Sequence, residues 1–118
     1  MLFKVGNNKV IIEKTKIANT IFSRFKGLMF EKKEKFNYAL VFELQEETKI
    51  GASIHMMFVF FPIDVVYLNS KKIVVDKETV FPWQLNYTPK KAAKYFIELP
   101  KGMGDKIVLG EKLYWNYA

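Results

Sequence analysis

Two apolar runs near the middle of the chain set the first limit on its fold. They occupy residues 52–69, ASIHMMFVFFPIDVVYLN, and are separated by Phe60-Phe61-Pro62. Both have the length of a strand and are rich in β-branched and aromatic residues. Because they are apolar on both faces, they fit central strands that are covered on two sides. We therefore predict a pair of central strands, joined as a hairpin at Phe61-Pro62.

The segments on either side of this pair also favour short strands. The pattern predicts a hairpin across Gly6-Asn7-Asn8 and further strands, at 2–5, 10–13, 38–44, 72–80, 94–99, 106–109 and 113–117. Segment 81–91 has two prolines and no periodicity, so an ordered loop is predicted there. One short helix is predicted at about 19–27, where apolar residues recur at helical spacing and Gly27 can end it. These elements predict one mostly β domain over 1–118, an antiparallel β-sandwich or small barrel.

The composition excludes several kinds of site. The chain has no cysteine and one histidine, His55, which removes disulfides, thiolate catalysis and the usual zinc ligand sets. We therefore predict no metal and no cofactor. The sequence also shows no signal-like start and no apolar segment of about 18 residues. A cytoplasmic protein without membrane contact is expected.

The positive charge is carried almost entirely by lysine. The net charge is +7, with 19 Lys and Arg against 12 Asp and Glu, and Arg24 is the one arginine. Proteins that read nucleic acids favour the forked guanidinium of arginine over the mobile charge of lysine. Binding to RNA or DNA is therefore predicted to be absent or weak. A surface dominated by lysine and glutamate also fits a protein from a hot environment.

Two polar residues within the apolar stretch, His55 and Asp64, require an explanation. In the predicted hairpin they share a face but lie roughly 13 Å apart, so each needs its own partner. Arg24, at the edge of the predicted helix, is the first candidate partner for Asp64 because it can form a forked ion pair. The alternatives are an Asp64 that accepts hydrogen bonds from backbone NH groups and a His55 that is an ordinary core residue.

Glu98 and Trp83 complete the candidate site residues. Glu98 lies near the end of a predicted strand, where it is either a rim carboxylate or a third polar group of the same cleft. Trp83 and Tyr87 either pack over the core or offer faces on which a sugar ring or a base can stack.

Three functions fit these residues. The first is a module that binds a small polar ligand, such as a sugar, in a cleft lined by Arg24, His55, Asp64, Trp83 and Glu98. The second is an acid–base hydrolase that uses Asp64 and Glu98, although no nucleophile or metal motif supports it. The third is a β-barrel that binds RNA or DNA weakly through Lys91, Lys94, Tyr87 and Trp83.

The motifs taken together resemble a known family. They are Arg24-x-x-Gly27-Leu28-Met29, His55-Met56, Pro62-Ile63-Asp64, Glu98-Leu99-Pro100-x-Gly102 and Gly110. In combination they closely resemble the bacterial and archaeal family called domain of unknown function 192, from about Ala18 to Leu113. The family's common form has tryptophan in place of His55, and the sequence looks like the archaeal variant. The resemblance implies a compact β-sandwich or barrel and no particular activity.

Overall fold

Eight short strands build the part of the chain that the structure describes. The structure is a computed structural model and describes residues 1–18 and 27–117. Its strands are β1 (Leu2–Lys4), β2 (Val10–Ile12), β3 (Thr15–Ile17), β4 (Ala39–Thr48), β5 (Ile63–Leu68), β6 (Val74–Val80), β7 (Ala93–Pro100) and β8 (Leu113–Trp115). Short 3-10 turns lie at Lys33–Lys35, Ile50–Ala52 and Met103–Lys106. The helix predicted at 19–27 falls, except for Gly27, outside the described residues, and so does Arg24.

The strands form two sheets, which confirms the mostly β prediction. The larger sheet has the order β3-β4-β7-β5-β6 and the smaller sheet has the order β2-β1-β8. The described strand pairs are antiparallel except β3 with β4, which run parallel. A parallel pair needs a long connection, and residues 18–38 supply one. The fold is therefore an open arrangement of two sheets rather than a closed barrel.

Strand β5 lies inside the larger sheet, and all of its side chains are buried. Consecutive side chains alternate between the two faces of a sheet. Ile63, Val65 and Tyr67 enter one core, whereas Val66 and Leu68 enter the other. The first core is covered by loops and is called the loop-side core. The second is covered by the smaller sheet, which contributes Leu2, Ile11, Leu113 and Trp115, and is called the sheet-side core.

The first of the two predicted central strands is wrong. Residues 53–62 form an irregular loop that is tied to segment 81–91 by an isolated bridge between Ile54 and Tyr87. The backbone turns where Val59 N–H donates to the carbonyl of Met56 at 3.1 Å. Since β5 pairs with β6 and β7, no hairpin forms at Phe61-Pro62. The loop is apolar because four of its side chains cover the loop-side core: Ile54, Met56, Val59 and Phe61.

Most of the other predicted strands are confirmed. The hairpin of β1 and β2 forms around the predicted turn, and β4, β6, β7 and β8 overlap their predicted segments. The strand predicted at 106–109 is wrong, because the backbone there leaves a 3-10 turn in which Ile107 N–H donates to the carbonyl of Gly104. Strand β3 was not predicted. Its three residues are too few to show a period, and the sheet gains it through pairing with β4.

Candidate functional site

Asp64 is buried at the start of β5 and accepts three hydrogen bonds. Its Oδ1 accepts from the hydroxyl of Thr79 at 2.7 Å, and its Oδ2 accepts from the backbone NH groups of Gly102 and Gly104, each at 2.8 Å. Only 4% of Asp64 is exposed. Asp64 thus holds the 3-10 turn after β7 against the sheet, as the backbone-capping alternative predicted. The pair with Arg24 involves a residue outside the described part of the chain and stays a prediction.

Lys77 fastens the same turn from the neighbouring strand. Its Nζ donates to the carbonyl oxygens of Gly104 and Ile107, at 3.0 and 2.7 Å. Lys77 and Thr79 lie opposite Val66 and Asp64 in the pairing of β5 with β6, so all four face the sheet-side core. The carboxylate of Asp64 therefore binds backbone NH groups of the turn, and the ammonium group of Lys77 binds its carbonyl oxygens. This arrangement accounts structurally for Asp64.

The close approach of Gly104 to Asp64 gives the first test. A Cβ at position 104 would lie 2.9 Å from the Oδ2 of Asp64 and 3.1 Å from its Cβ. Asp64 cannot move away without losing its backbone donors. We expect Gly104→Ala to lower the free energy of unfolding by about 1 to 3 kcal/mol, the usual cost of overpacking. Gly6→Ala is the matched control because a Cβ there meets nothing within 4 Å. Equal melting temperatures for the two variants would contradict this account.

Glu98 lies on the opposite face of the sheet from Asp64. In the pairing of β5 with β7, Asp64 is opposite Leu99, whereas Glu98 is opposite Val65. Directly opposite residues share a face, and neighbours along a strand do not. The structure therefore does not bring Asp64 and Glu98 together, and the single cleft predicted to contain both is not formed. An acid–base pair of these two residues is not supported.

The carboxyl group of Glu98 lies in the loop-side core. Glu98 is 6% exposed, and its Oε1 has no hydrogen-bond partner among residues 1–18 and 27–117. Burial disfavours the charged form and raises the pKa of Glu98 to about 8. At neutral pH the group is therefore mainly a protonated acid, which offers one O–H donor and retains an acceptor oxygen.

A cavity of about 70 Å³ lies at Glu98. Segment 27–29, the 53–62 loop and strands β4, β5 and β7 enclose it. Its described lining consists of Gly27, Leu28, Met29, Phe42, Ser53, Ile54, His55, Met56, Val59, Ile63, Phe96 and Glu98. Gly27 has φ +47°, where a side chain is strained, and a Cβ there would lie 3.6 Å from the Oε1 of Glu98. Two predicted site residues, His55 and Glu98, therefore line one cavity.

His55 is one of the few polar residues in this mostly apolar wall. The Nδ1 of His55 accepts a hydrogen bond from the backbone N–H of Met57 at 3.2 Å. Because Nδ1 accepts this bond, a neutral ring carries its proton on Nε2. Ser53 also lines the cavity, and its Oγ lies 2.8 Å from the Oγ1 of Thr88. The described wall thus combines apolar side chains with a neutral acid, an imidazole and a hydroxyl group.

Trp83 lies in a group of four aromatic residues on the surface. We call Phe30, Phe58, Phe60 and Trp83 the aromatic cluster. Phe58 stacks on Phe30 with ring centroids 4.9 Å apart and meets Trp83 edge-on at 4.9 Å. Phe60 meets Trp83 edge-on at 5.8 Å. Phe30, Phe60 and Trp83 are 63%, 58% and 45% exposed, so much of the cluster is accessible to solvent.

Three members of the cluster, Phe30, Phe58 and Phe60, belong to or adjoin two segments that line the cavity. Phe30 directly follows Met29, and Phe58 lies between Met56 and Val59 in the sequence. Met29, Met56 and Val59 line the cavity, whereas Phe30 and Phe58 do not. Backbone hydrogen bonds join the segments, from Phe30 N–H to the carbonyl of Phe58 at 2.8 Å and from Trp83 N–H to that of Met56 at 2.9 Å. Trp83 is therefore connected to the cavity through Met56 rather than by lining it.

Further buried polar residues, among them Asp76 and Tyr67, were not predicted as site residues. Asp76 accepts from the hydroxyl of Tyr87 at 2.9 Å and from the N–H of Lys90 at 3.0 Å, which fastens segment 81–91 to the edge of the sheet. Tyr67 is fully buried, and its hydroxyl has no partner in the described part of the chain. Asp76 lies opposite Tyr67 and Val74 lies opposite Leu68, so a bulge puts the two on different faces although they are two residues apart. Alternation in the sequence therefore shows neither the face of Asp76 nor its partners.

Two of the four residues proposed for nucleic-acid binding form hydrogen bonds within the protein. The hydroxyl of Tyr87 donates to Asp76, and the Nζ of Lys94 donates to the carbonyl of Gln45 at 3.0 Å. Trp83 and Lys91 are exposed. Weak or absent binding to nucleic acid stays a prediction.

Metal binding and membrane insertion were predicted to be absent. Among residues 1–18 and 27–117, no three His, Asp or Glu side chains gather closely enough to hold a metal ion. No helix of that part of the chain is long and apolar enough to cross a bilayer. Metal independence and cytoplasmic location stay predictions.

Two solved structures share the fold. A protein from Sinorhizobium meliloti, described as a candidate transcription regulator, has a TM-score of 0.80 at 17% identity, over 96% of this chain and 88% of its own. A protein of unknown function from Novosphingobium aromaticivorans has a TM-score of 0.75 at 19% identity, over 86% and 74%. At these identities the likeness shows the fold alone.

Relatives with much higher identity come from archaea. A UPF0127 protein of Thermococcus sibiricus is 44% identical over 118 residues, 98% of this chain and 75% of that protein. One of Pyrococcus furiosus is 40% identical over 98% of this chain and 97% of that protein. Their shared name states no activity.

Parts of three motifs that suggested the family meet at the cavity. Gly27-Leu28-Met29, His55-Met56 and Glu98 all line it, although they are far apart in the sequence. The model of DUF192, a family described as Uncharacterized ACR, matches residues 2–115. This confirms the resemblance found in the sequence, and the chain belongs to the DUF192 family.

Proposed function

We propose that the protein is a binding module for a small, neutral, sugar-like ligand whose hydroxyl or amide group enters the Glu98 cavity. The observation that carries the proposal is the buried Oε1 of Glu98, which lines a cavity and has no partner within the described residues. Native proteins rarely leave such an atom unsatisfied, because the cost is about 1 to 3 kcal/mol. A ligand that both donates and accepts a hydrogen bond would satisfy it.

The charge of the described lining favours a neutral ligand. It contains no lysine or arginine to attract an anion, and a protonated Glu98 does not attract a cation. Hydroxyl and amide groups match a neutral acid and the hydroxyl of Ser53. The apolar walls, which include Phe42 and Phe96, would contact the carbon skeleton of the ligand.

Acetamide is a suitable first probe because it is small, neutral and can both donate and accept. We expect its addition to shift the backbone amide resonances of Gly27, Leu28, His55 and Met56, with weaker binding at pH 9 than at pH 6. The reason is that Glu98 loses its donor as pH rises through about 8. Titration followed by two-dimensional NMR at both pH values makes the measurement.

Three variants sharpen this test. Glu98→Gln keeps a donor and an acceptor at every pH, so it should bind the probe equally at pH 6 and pH 9. Glu98→Leu removes both groups and should abolish the shifts. Glu78→Gln is the control. Glu78 lies opposite Val65 on the neighbouring strand β6 but, unlike Glu98, it is exposed. The proposal fails if acetamide leaves the cavity resonances unchanged in the wild-type protein.

A further inference from the structure

The cavity is too small for a whole sugar. Its volume is about 70 Å³. A cavity of roughly 150 Å³ holds one benzene molecule, and a sugar ring with its substituents is larger than benzene. Only a small substituent, such as an acetamido or hydroxymethyl group, fits beside Glu98. The remainder of any ligand must lie outside the cavity.

Phe30, Phe58 and Phe60 of the aromatic cluster belong to or adjoin segments that line the cavity, and Trp83 is hydrogen-bonded to one of these segments at Met56. The cluster has no charged member, and three of its four rings are largely exposed. Exposed aromatic faces stack on flat rings and on the apolar face of sugars. The polar groups of the adjoining cavity, among them Glu98 and Ser53, favour a sugar over a purely aromatic ligand, because a sugar ring carries substituents that form hydrogen bonds.

The backbone of the cluster is held in an unfavourable conformation. Phe30, Phe58 and Trp83 have φ values of 62°, 59° and 64°. Bulky residues seldom adopt the left-handed region, which costs them roughly 1 to 2 kcal/mol each. Strained residues that gather in one place are typical of functional sites. Folding stability alone would favour glycine or asparagine at these positions.

Resting on the proposed function, we infer that the aromatic cluster is the ring-binding half of the same site, and that the ligand is a glycoside. The apolar face of its sugar ring stacks on Phe30, Phe60 or Trp83 while one substituent enters the cavity beside Glu98. The cavity then selects the substituent, and the cluster supplies most of the contact with the ring.

The experiment compares a probe that fills the cavity alone with probes that carry a ring. Acetamide, methyl β-glucoside and methyl N-acetyl-β-glucosaminide are titrated separately into the protein, followed by NMR. Trp83→Ala and Phe30→Asn should weaken glycoside binding about tenfold, within the range for losing one stacking contact. Neither variant should change the affinity for acetamide. Phe81→Ala is the control, since Phe81 is exposed nearby but lies outside the cluster.

Phe30→Asn also separates a binding role from a structural one. Asparagine tolerates the left-handed conformation better than phenylalanine does. The variant should therefore keep or raise the melting temperature while it loses glycoside affinity. A lower melting temperature with unchanged glycoside affinity would mean that the ring serves stability, and would overturn the inference.

The remaining outcomes are distinct. If acetamide binds but the glycosides do not, or if the cluster variants leave glycoside affinity unchanged, the inference fails and the proposed function stands. If no probe shifts the cavity resonances, the proposed function fails and the inference fails with it. If the wild-type protein self-associates and Trp83→Ala makes it monomeric without affecting glycosides, the cluster is a contact between copies, and the inference is overturned.

Discussion

Replacing Asp64 with alanine is expected to lower the free energy of unfolding by about 3 to 5 kcal/mol. The change leaves the NH groups of Gly102 and Gly104 without their acceptor and removes the partner of the Thr79 hydroxyl. The NH group of Gly104 is in a buried hydrogen bond, so water cannot readily replace the carboxylate. Chemical denaturation of the wild type and the variant measures the difference.

Two comparisons make the Asp64 result specific. Asp64→Asn should cost much less than Asp64→Ala, because its one remaining oxygen can accept both NH groups while its amide donates to Thr79. Asp105→Ala removes an exposed carboxylate from the same turn and should be nearly neutral. If Asp64→Ala lowered the free energy of unfolding as little as Asp105→Ala, the carboxylate would not be structural. A role of Asp64 in ligand binding would then be indicated instead.

The sequence identified Asp64 as a buried acid that needed partners, but not which partners. The donors lie 38 and 40 residues away at Gly102 and Gly104. They are backbone NH groups, which every residue except proline possesses, so the sequence carries no mark of them. The two glycines do indicate a turn. The close contact of Gly104 with Asp64 explains why position 104 needs a residue without a side chain.

The relation between Asp64 and Glu98 depended on strand register. Both residues were correctly expected on or beside strands. Whether they share a face depends on which residue of β7 lies opposite Asp64, and a shift of one residue would reverse the answer. The register places Leu99 there, which puts Glu98 in the other core. Register between distant strands is set by packing of the whole sheet and cannot be read from either segment alone.

The 53–62 loop shows a different limit of sequence patterns. Its composition is that of a buried strand, and burial was predicted correctly for Met56 and Val59. A loop that covers one face of a sheet buries the same kinds of side chain as a strand within it. The left-handed backbone at Phe58 decides between them, yet phenylalanine is a residue that gives no sign of such a conformation.

The other large effect is expected at Glu98, whose carboxyl group should make stability depend on pH. Its pKa is about 8 in the folded protein, against an ordinary value of 4.5 for a glutamate. Between these values the folded state binds more protons than the unfolded state, so stability falls as pH rises from about 4.5 to about 8. A shift of this size corresponds to roughly 3 to 5 kcal/mol across the window.

Glu98→Gln removes this titration while it preserves the shape of the side chain. The variant should match the wild type near pH 4.5 and be more stable by roughly 3 to 5 kcal/mol at pH 8 and above. Denaturation at several pH values, with exposed Glu78→Gln as the control, isolates the contribution of Glu98 from the other titrating groups. A variant that is less stable than the wild type at neutral pH would contradict the account, because the carboxylate would then be ionised and paired. The neutral acid that the proposed ligand requires would be absent, so this measurement of stability also bears directly on binding.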